Sequence, residues 1–354
     1  LDYPTVPGKR ITGRYSDGVP KRCAALLSAI LVMAGTIPAC VSGERTEKGG
    51  SSPVNSNART GHGSAVETGV PSSGATPAGI RDVTSWLYQL DGYPGGRLDA
   101  VAASPHRLAV VDLARDAAGG YFTRAEIERV RHSGKRVLAY FEIGAIERYR
   151  PEYRAVVDRG LVLNRWADWP EEYFVRYWDP AWWDLVVRPR VDRAIRAGFD
   201  GVYLDAPVAY EEIDTGLVPG SSRRSLARRM VKLIIQVSGY AKSVRPGFWV
   251  FPQNSPELAE FPGYLPAIDG IGVEELFFRA SGAETDLPCD AGWCAENLAA
   301  VRRLRDAGKL VLAVDYADRP DNIRTACRRY HEERFVGYVT VPTLDRVQPR
   351  CQGG

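Results

Sequence analysis

An α/β protein built on a single (β/α)8 barrel is what this sequence predicts, and three observations predict it. Eight short runs rich in Val, Leu, Tyr and Phe recur from Ile80 onward, each of strand length. Longer segments with apolar residues at three- and four-residue spacing separate them, the pattern of helices packed on a sheet. Glycine directly follows three of these helical segments and precedes a strand, at Gly134, Gly198 and Gly308, where a helix ends most easily in the left-handed conformation. This alternation, sustained over about 275 residues, has the size and rhythm of a TIM barrel.

Taken in order, the strands are expected at Trp86–Leu90, Leu108–Asp112, Val137–Glu142, Gly201–Asp205, Phe248–Asn254, Gly270–Leu276, Leu310–Tyr316 and Gly337–Val341. Helices are expected over Thr123–Ser133, Trp182–Ala197, Ser222–Val244 and Ala295–Ala307. A ninth strand-like run, Tyr173–Trp178, lies in polar and Trp-rich sequence before Asp179-Pro180, so it is assigned to a long excursion between the third and fourth strands. An open doubly wound sheet is the competing architecture, but no Gly-rich phosphate loop follows the first strand.

The sequence ahead of the barrel reads as export machinery. Lys21 and Arg22 precede an apolar stretch from Ala24 to Ile37, too short to cross a bilayer and suited to the core of a secretory signal. It ends at Ile37-Pro38-Ala39-Cys40, which resembles a bacterial lipobox whose cysteine becomes lipidated. Pro38 and the long stretch before Lys21 depart from that pattern. Residues 1–39 are therefore expected to be a signal peptide and residues 40–79 a lipid-anchored linker. That linker, rich in Ser, Gly, Thr, Asn and Pro, has too little apolar surface to offset the entropy of ordering. The barrel domain occupies residues 80–354, and the expected location is the extracellular face of the cell membrane or the medium.

Composition narrows the function. The net charge of +3 is small and its basic residues are scattered, which gives no case for a nucleic-acid partner. Eight Trp and seventeen Tyr supply the flat faces that sugar-binding clefts use, although any one of them could equally be core. Cys289, Cys294, Cys327 and Cys351 remain beside Cys40 once a signal is removed, and an even number in an exported chain suggests disulfides. The expected bridges are Cys289 to Cys294 and Cys327 to Cys351. Only four histidines exist and none accompanies the cysteines at zinc-ligand spacing, so no metal or other cofactor is expected.

The chemistry is read at the strand ends, where barrels of this kind place their functional groups. Asp112, Glu142, Asp205, Glu274 with Glu275, and Asp315 all lie at or near the C-terminal end of an expected strand. With 43 acidic residues in 354, eight such positions should hold about one acid by chance. The excess implies carboxylates converging on one cleft. Converging carboxylates must be raised in pKa or paired, as a general acid requires, and two of them suffice for glycoside hydrolysis. The same convergence suits a divalent metal; acid/base chemistry is preferred because the acids come from separate strands with no Asp-x-Asp loop and no His.

These stretches also carry a resemblance. Trp86-Leu87-Tyr88-Gln89-Leu90, Val137 through Gly144, Arg176-Tyr177-Trp178-Asp179, Gly198-Phe199-Asp200-Gly201-Val202-Tyr203-Leu204-Asp205, Pro252-Gln253-Asn254 and Val273-Glu274-Glu275-Leu276-Phe277 resemble the endo-α-1,4-polygalactosaminidase family, glycoside hydrolase family 114. The resemblance implies a barrel with a catalytic Asp after the fourth strand and a catalytic Glu on the sixth, which map onto Asp205 and Glu274. It also implies a retaining outcome.

From the residues themselves, Asp205 is assigned as nucleophile or stabilising carboxylate and Glu274 as acid/base, and the two roles could be exchanged. Around them, Asp112, Glu142, Asp179 and Asp315 are expected to supply negative charge, and Tyr88, Tyr140, Trp178 and Tyr316 stacking surfaces; Gln253 and Asn254 are expected to bond sugar hydroxyls. Such a cleft favours a cationic amino-sugar polymer as partner. The expected protein is an endo-glycosidase, monomeric and membrane-anchored. A non-catalytic carbohydrate-binding or envelope-scaffolding lipoprotein is the alternative, with a metal-dependent hydrolase third.

Overall fold

Short, largely buried strands dominate the architecture: β1 (Trp86–Gln89), β2 (Leu108–Asp112), β3 (Arg136–Glu142), β4 (Gly201–Asp205), β5 (Trp249–Pro252), β6 (Gly270–Glu274), β7 (Leu310–Tyr316) and β8 (Val336–Thr340). The computed structural model describes residues 79–167 and 169–351; the expected signal peptide, Cys40 and nearly all of the linker lie outside the described residues. Strands β1 to β5 pair in parallel in chain order, as do β6 to β8. A parallel bridge at Gln253 and Gly272 joins β5 to β6, reinforced by Asn254 N donating to Gly272 O at 2.7 Å. The circle closes where the Trp86 ring lies 5.9 Å from that of Tyr338 and Leu90 N donates to Leu344 O at 2.8 Å just past both strands. The eight strands match the sequence reading, with ends shifted by a residue or two.

Burial on both faces explains why these strands read as apolar runs instead of alternating ones. Every residue of β2 and β4 is buried. Outward side chains meet the helices, while inward ones fill the barrel with an aromatic stack: Tyr88 stands 5.7 Å from Trp86, 5.4 Å from Tyr203 and 6.2 Å from Tyr140, centroid to centroid. Gly272 makes room for it, since a Cβ there would collide with the Tyr203 ring. Alternation along β4 puts Asp205 on the same inward face as Tyr203, one step nearer the mouth.

The outer helices include Arg124–His132, Arg188–Ala197, Arg223–Val244, Gly292–Asp306 and Pro320–Glu333. Thr123 opens the first with a reciprocal cap, accepting from Glu126 N at 3.3 Å while Glu126 Oε2 accepts from Thr123 N at 2.8 Å. Pro320–Glu333 is absent from the sequence reading because it buries only Ala326 and Tyr330 fully, too few to show a period. Between β3 and β4 the excursion folds into a three-stranded antiparallel sheet of Ala145–Glu147, Val162–Arg165 and Glu172–Val175, the last in the middle. The ninth strand-like run belongs to this sheet and not to the barrel.

Both expected disulfides form. Cys289–Cys294 ties the loop after β6 to the start of Gly292–Asp306, and Cys327–Cys351 fastens the C-terminal tail to the last helix. Closing the latter loop contributes about 3 kcal/mol by restricting the unfolded chain.

Candidate active site

The C-terminal ends of β4 to β7 open into a cleft of about 450 Å3. Asp205 closes β4 and Glu274 closes β6, and both line it. Backbone geometry marks this rim. Directly after three neighbouring strands the chain turns through the left-handed region, at Ala206 (φ 58°), at Asn254 and Ser255 (φ 59° and 53°) and at Glu275 (φ 61°). Non-glycine residues enter that region at a cost of about 1–2 kcal/mol each, and such strain concentrates where a site has to be aimed.

Each acid is held by named donors. The Tyr140 hydroxyl donates to Asp205 Oδ2, and Ala206 N donates to Oδ1 at 2.6 Å. Glu274 Oε2 accepts from Asn254 Nδ2 at 2.9 Å and from Gln253 Nε2, while Oε1 accepts from the Tyr316 hydroxyl. Asn254 clamps the same residue twice, since its Oδ1 accepts from Glu274 N at 3.0 Å. Tyr88, on the far side of the barrel, orients the Gln253 amide by donating to its Oε1 at 3.1 Å. The two carboxyls thus enter the cleft from β4 and β6, with the β5 end between them.

The walls are acidic and aromatic. Trp166 and Trp169 from the excursion and Trp293 from the helix after β6 line the cleft. Glu211 and Glu212 enter after β4, Glu257 after β5, and Glu172 from the excursion sheet. Burial and the nearby Glu257 push the Glu211 carboxyl up to about 7. Burial also raises Glu257, opposed by the hydrogen bond from the Tyr210 hydroxyl. Arg303 is the one basic side chain among the described residues lining the cleft.

Of the remaining expected binding residues, Gln253, Asn254 and Tyr316 line the cleft and the others do not. Tyr88 and Tyr140 are 0% and 2% exposed, so they are barrel filling and positioning groups, not stacking surfaces. Asp112 is sealed by Arg150, whose Nη1 and Nη2 donate to it at 3.1 and 2.9 Å; burial raises its pKa against that pairing. Glu142 is buried behind the excursion, and desolvation together with Glu147 raises it well above the carboxylate range. Asp315 is buried too, accepting from Phe277 N at 3.0 Å and the Tyr330 hydroxyl at 2.7 Å, and burial brings it up to about 6. Trp178 lies under Arg229, 4.8 Å from its ring, and Asp179 caps a helix by accepting from Ala181 N at 2.8 Å. The idea that all strand-end acids converge on one cleft is therefore corrected: Asp205, Glu274 and Glu275 reach it, whereas Asp112, Glu142 and Asp315 are consumed inside the walls.

Comparisons with known proteins give the family and the fold. Residues 65–354 match the model of glycoside-hydrolase family GH114. An uncharacterized protein of Deinococcus radiodurans is 35% identical over 268 residues, covering 75% of this chain and 82% of that protein. An uncharacterized protein of Methanocaldococcus jannaschii is 30% identical over 272 residues, 72% of this chain and 73% of that one. Among solved structures, the glycoside hydrolase domain of PelA from Pseudomonas aeruginosa shares the fold with a TM-score of 0.57 at 19% identity, over 74% of this chain and 96% of that one. Aspergillus fumigatus Ega3, in complex with galactosamine, does so with a TM-score of 0.58 at 14% identity, over 80% and 99%.

Proposed function

The chain belongs to glycoside-hydrolase family GH114, and from that premise we propose that it is an endo-acting hydrolase of α-1,4-linked, galactosamine-containing polysaccharide, with Asp205 and Glu274 as its catalytic pair. One observation carries the reading: the two acids, far apart in sequence, line the same open cleft at the same end of the barrel. Asp205, its two oxygens fixed by Tyr140 and Ala206 N, is assigned to attack the anomeric carbon. Glu274 is assigned to protonate the leaving glycosidic oxygen and then to take a proton from the water that releases the glycosyl-enzyme.

The substrate class follows from the lining. Tryptophan faces accept sugar rings, and an acidic wall with Arg303 as its one basic side chain attracts an ammonium-bearing sugar more than a neutral or anionic one. The galactosamine complex of the fold relative Ega3 supports the same class. A pair of disulfides suits an oxidising compartment, which supports the reading that the domain is exported and tethered through Cys40.

Release of reducing ends from deacetylated polygalactosamine tests this. Glu274→Gln is expected to abolish release with far-UV dichroism and melting unchanged; turnover at the wild-type rate would overturn the assignment. Retention requires carboxyl groups about 5–5.5 Å apart during the reaction and inversion more than about 6.5 Å. Proton NMR of the first-formed anomer is expected to show retention, and the opposite anomer would make Glu274 and Asp205 an acid and a base acting through water.

A further inference from the structure

We propose that Glu142, Glu147 and Glu172 form a binding site for one divalent cation of the oxygen-seeking class, calcium, between the end of β3 and the excursion sheet. One carboxylate oxygen from each lies within 4.8 Å of the other two, and all three residues are buried. Oxygens that share a calcium ion at about 2.3–2.6 Å stand at most about 5 Å apart, whereas a magnesium ion at about 2.0–2.1 Å holds its ligands within about 4.2 Å. A spread within 4.8 Å meets the calcium limit, and a cage of three protein carboxylates is the kind calcium takes, whereas magnesium keeps several of its waters.

Two further observations point to a missing positive charge. Neither Glu142 oxygen accepts from an N–H or hydroxyl donor among the described residues, although the residue is 1% exposed; its one polar side-chain neighbour in hydrogen-bond reach there is the Glu147 carboxyl, an arrangement that costs several kcal/mol unless a cation or a shared proton neutralises it. The nearby guanidinium groups are engaged by other atoms than the Glu142 carboxylate, Arg150 holding both oxygens of its neighbour Glu147. Arg150 is divided between Asp112 and Glu147, and Arg190 pairs with Glu152 and gives Nη1 to the backbone carbonyl of Glu142. The second observation is the register of the excursion sheet, which sets Glu147 directly opposite Glu172. Like charges in that position push strands apart, and the pairing holds with Arg150 on the Glu147 side and three carboxylates sharing one buried space. An adjoining pocket of about 20 Å3, bordered by Tyr140, Glu147 and Glu172 among others, has room for about one water to complete the coordination.

The ion would join the excursion, which brings Trp166 and Trp169 to the cleft, to the barrel strand next to β4, where Glu142 and Asp205 are register partners. The proposal does not depend on the glycosidase reading, because its readouts are metal uptake and melting. Full-length protein stripped with EDTA is titrated with calcium chloride by calorimetry and then melted with calcium, with magnesium and with neither at equal ionic strength. The expected result is one equivalent of calcium per chain and a melting midpoint raised by roughly 5 °C at a hundredfold excess over Kd. Glu142→Gln and Glu172→Gln are expected to lose both effects. If Glu142→Gln does not fold, Glu172→Gln reads the same site. An absence of uptake by the wild type overturns the proposal, with Glu142 then holding a proton and Glu142→Gln melting no lower than the stripped wild type. Uptake retained by both variants overturns it as well.

Discussion

The two sides of the barrel mouth carry the same kind of residue and treat it in opposite ways. On the β4 to β7 side, Asp205 and Glu274 end their strands beneath an open cleft and are held by neutral donors, Tyr140, Tyr316, Asn254 and Gln253. On the β2 and β3 side, Asp112 and Glu142 end theirs as buried groups, and Arg150 pairs with the first of them while also holding Glu147. A strand-end carboxylate becomes reactive only where the following loop leaves it solvent and no guanidinium claims it. A hydroxyl or amide orients the charge, while a buried guanidinium cancels it.

The largest effect that could break this contrast lies in paired substitutions. Asp205→Asn is expected to lower kcat on polygalactosamine by about 10^3-fold or more, and Asp112→Asn by less than about tenfold. Equal losses in initial-rate assays would mean that Asp112, despite Arg150, belongs to the chemistry.

Stability should show the reverse ranking. Arg150 is buried between two carboxylates, so Arg150→Ala leaves uncompensated charge and is expected to cost about 3–5 kcal/mol in urea unfolding. Arg303, exposed at the rim of the cleft, is expected to shift stability by less than about 0.5 kcal/mol when replaced by alanine. A small loss at Arg150 would mean that the walls of the closed side tolerate charge without pairing.

The sequence made this contrast only half visible. Strand positions were legible because burial on both faces writes continuous apolar runs, and the strand-end acids because parallel barrels point them to one mouth. Which acids stay open was not legible, since that depends on a partner distant in sequence: Arg150 lies 38 residues from Asp112, in a loop whose arginines look alike. The same limit hid Glu211, Glu257, Trp166, Trp169 and Trp293, which come from connections after strands. Two hints were present: the Glu211-Glu212 pair shortly after Asp205, and the two tryptophans spaced three apart in the excursion. The roles of Tyr88 and Tyr140 were misread because an inward aromatic looks the same in sequence whether it fills a barrel or floors a cleft.

The donors that hold the open acids give a smaller effect. Tyr316→Phe removes one hydrogen bond from Glu274 without changing the cleft's shape, so kcat is expected to fall about 10- to 100-fold with KM nearly constant. Tyr88→Phe acts one bond further away, through the Gln253 amide, and is expected to cost less. A rise in KM alone would place Tyr316 in substrate contact instead of behind Glu274.

The smallest effect lies in the open wall, at Glu211, and its sign separates binding from stability. The residue faces Glu257, Glu212 and Tyr210, with Arg223 donating to the Tyr210 carbonyl at 3.1 Å. Burial and Glu257 bring it up to about 7, so it is neutral below that pH and anionic above it. KM for a cationic galactosamine polymer is therefore expected to fall a few-fold as pH rises through about 7 in the wild type, and to lose that limb in Glu211→Gln. Stability runs the other way. A carboxyl whose folded pKa exceeds its unfolded value contributes fully at acid pH, and the contribution is lost as pH climbs through about 7. Glu211→Gln should thus melt with the wild type at pH 4 and above it at pH 8. If the variant melts lower at pH 8, Glu211 is a paired anion like those of the sealed side, and the open wall owes its charge to other residues.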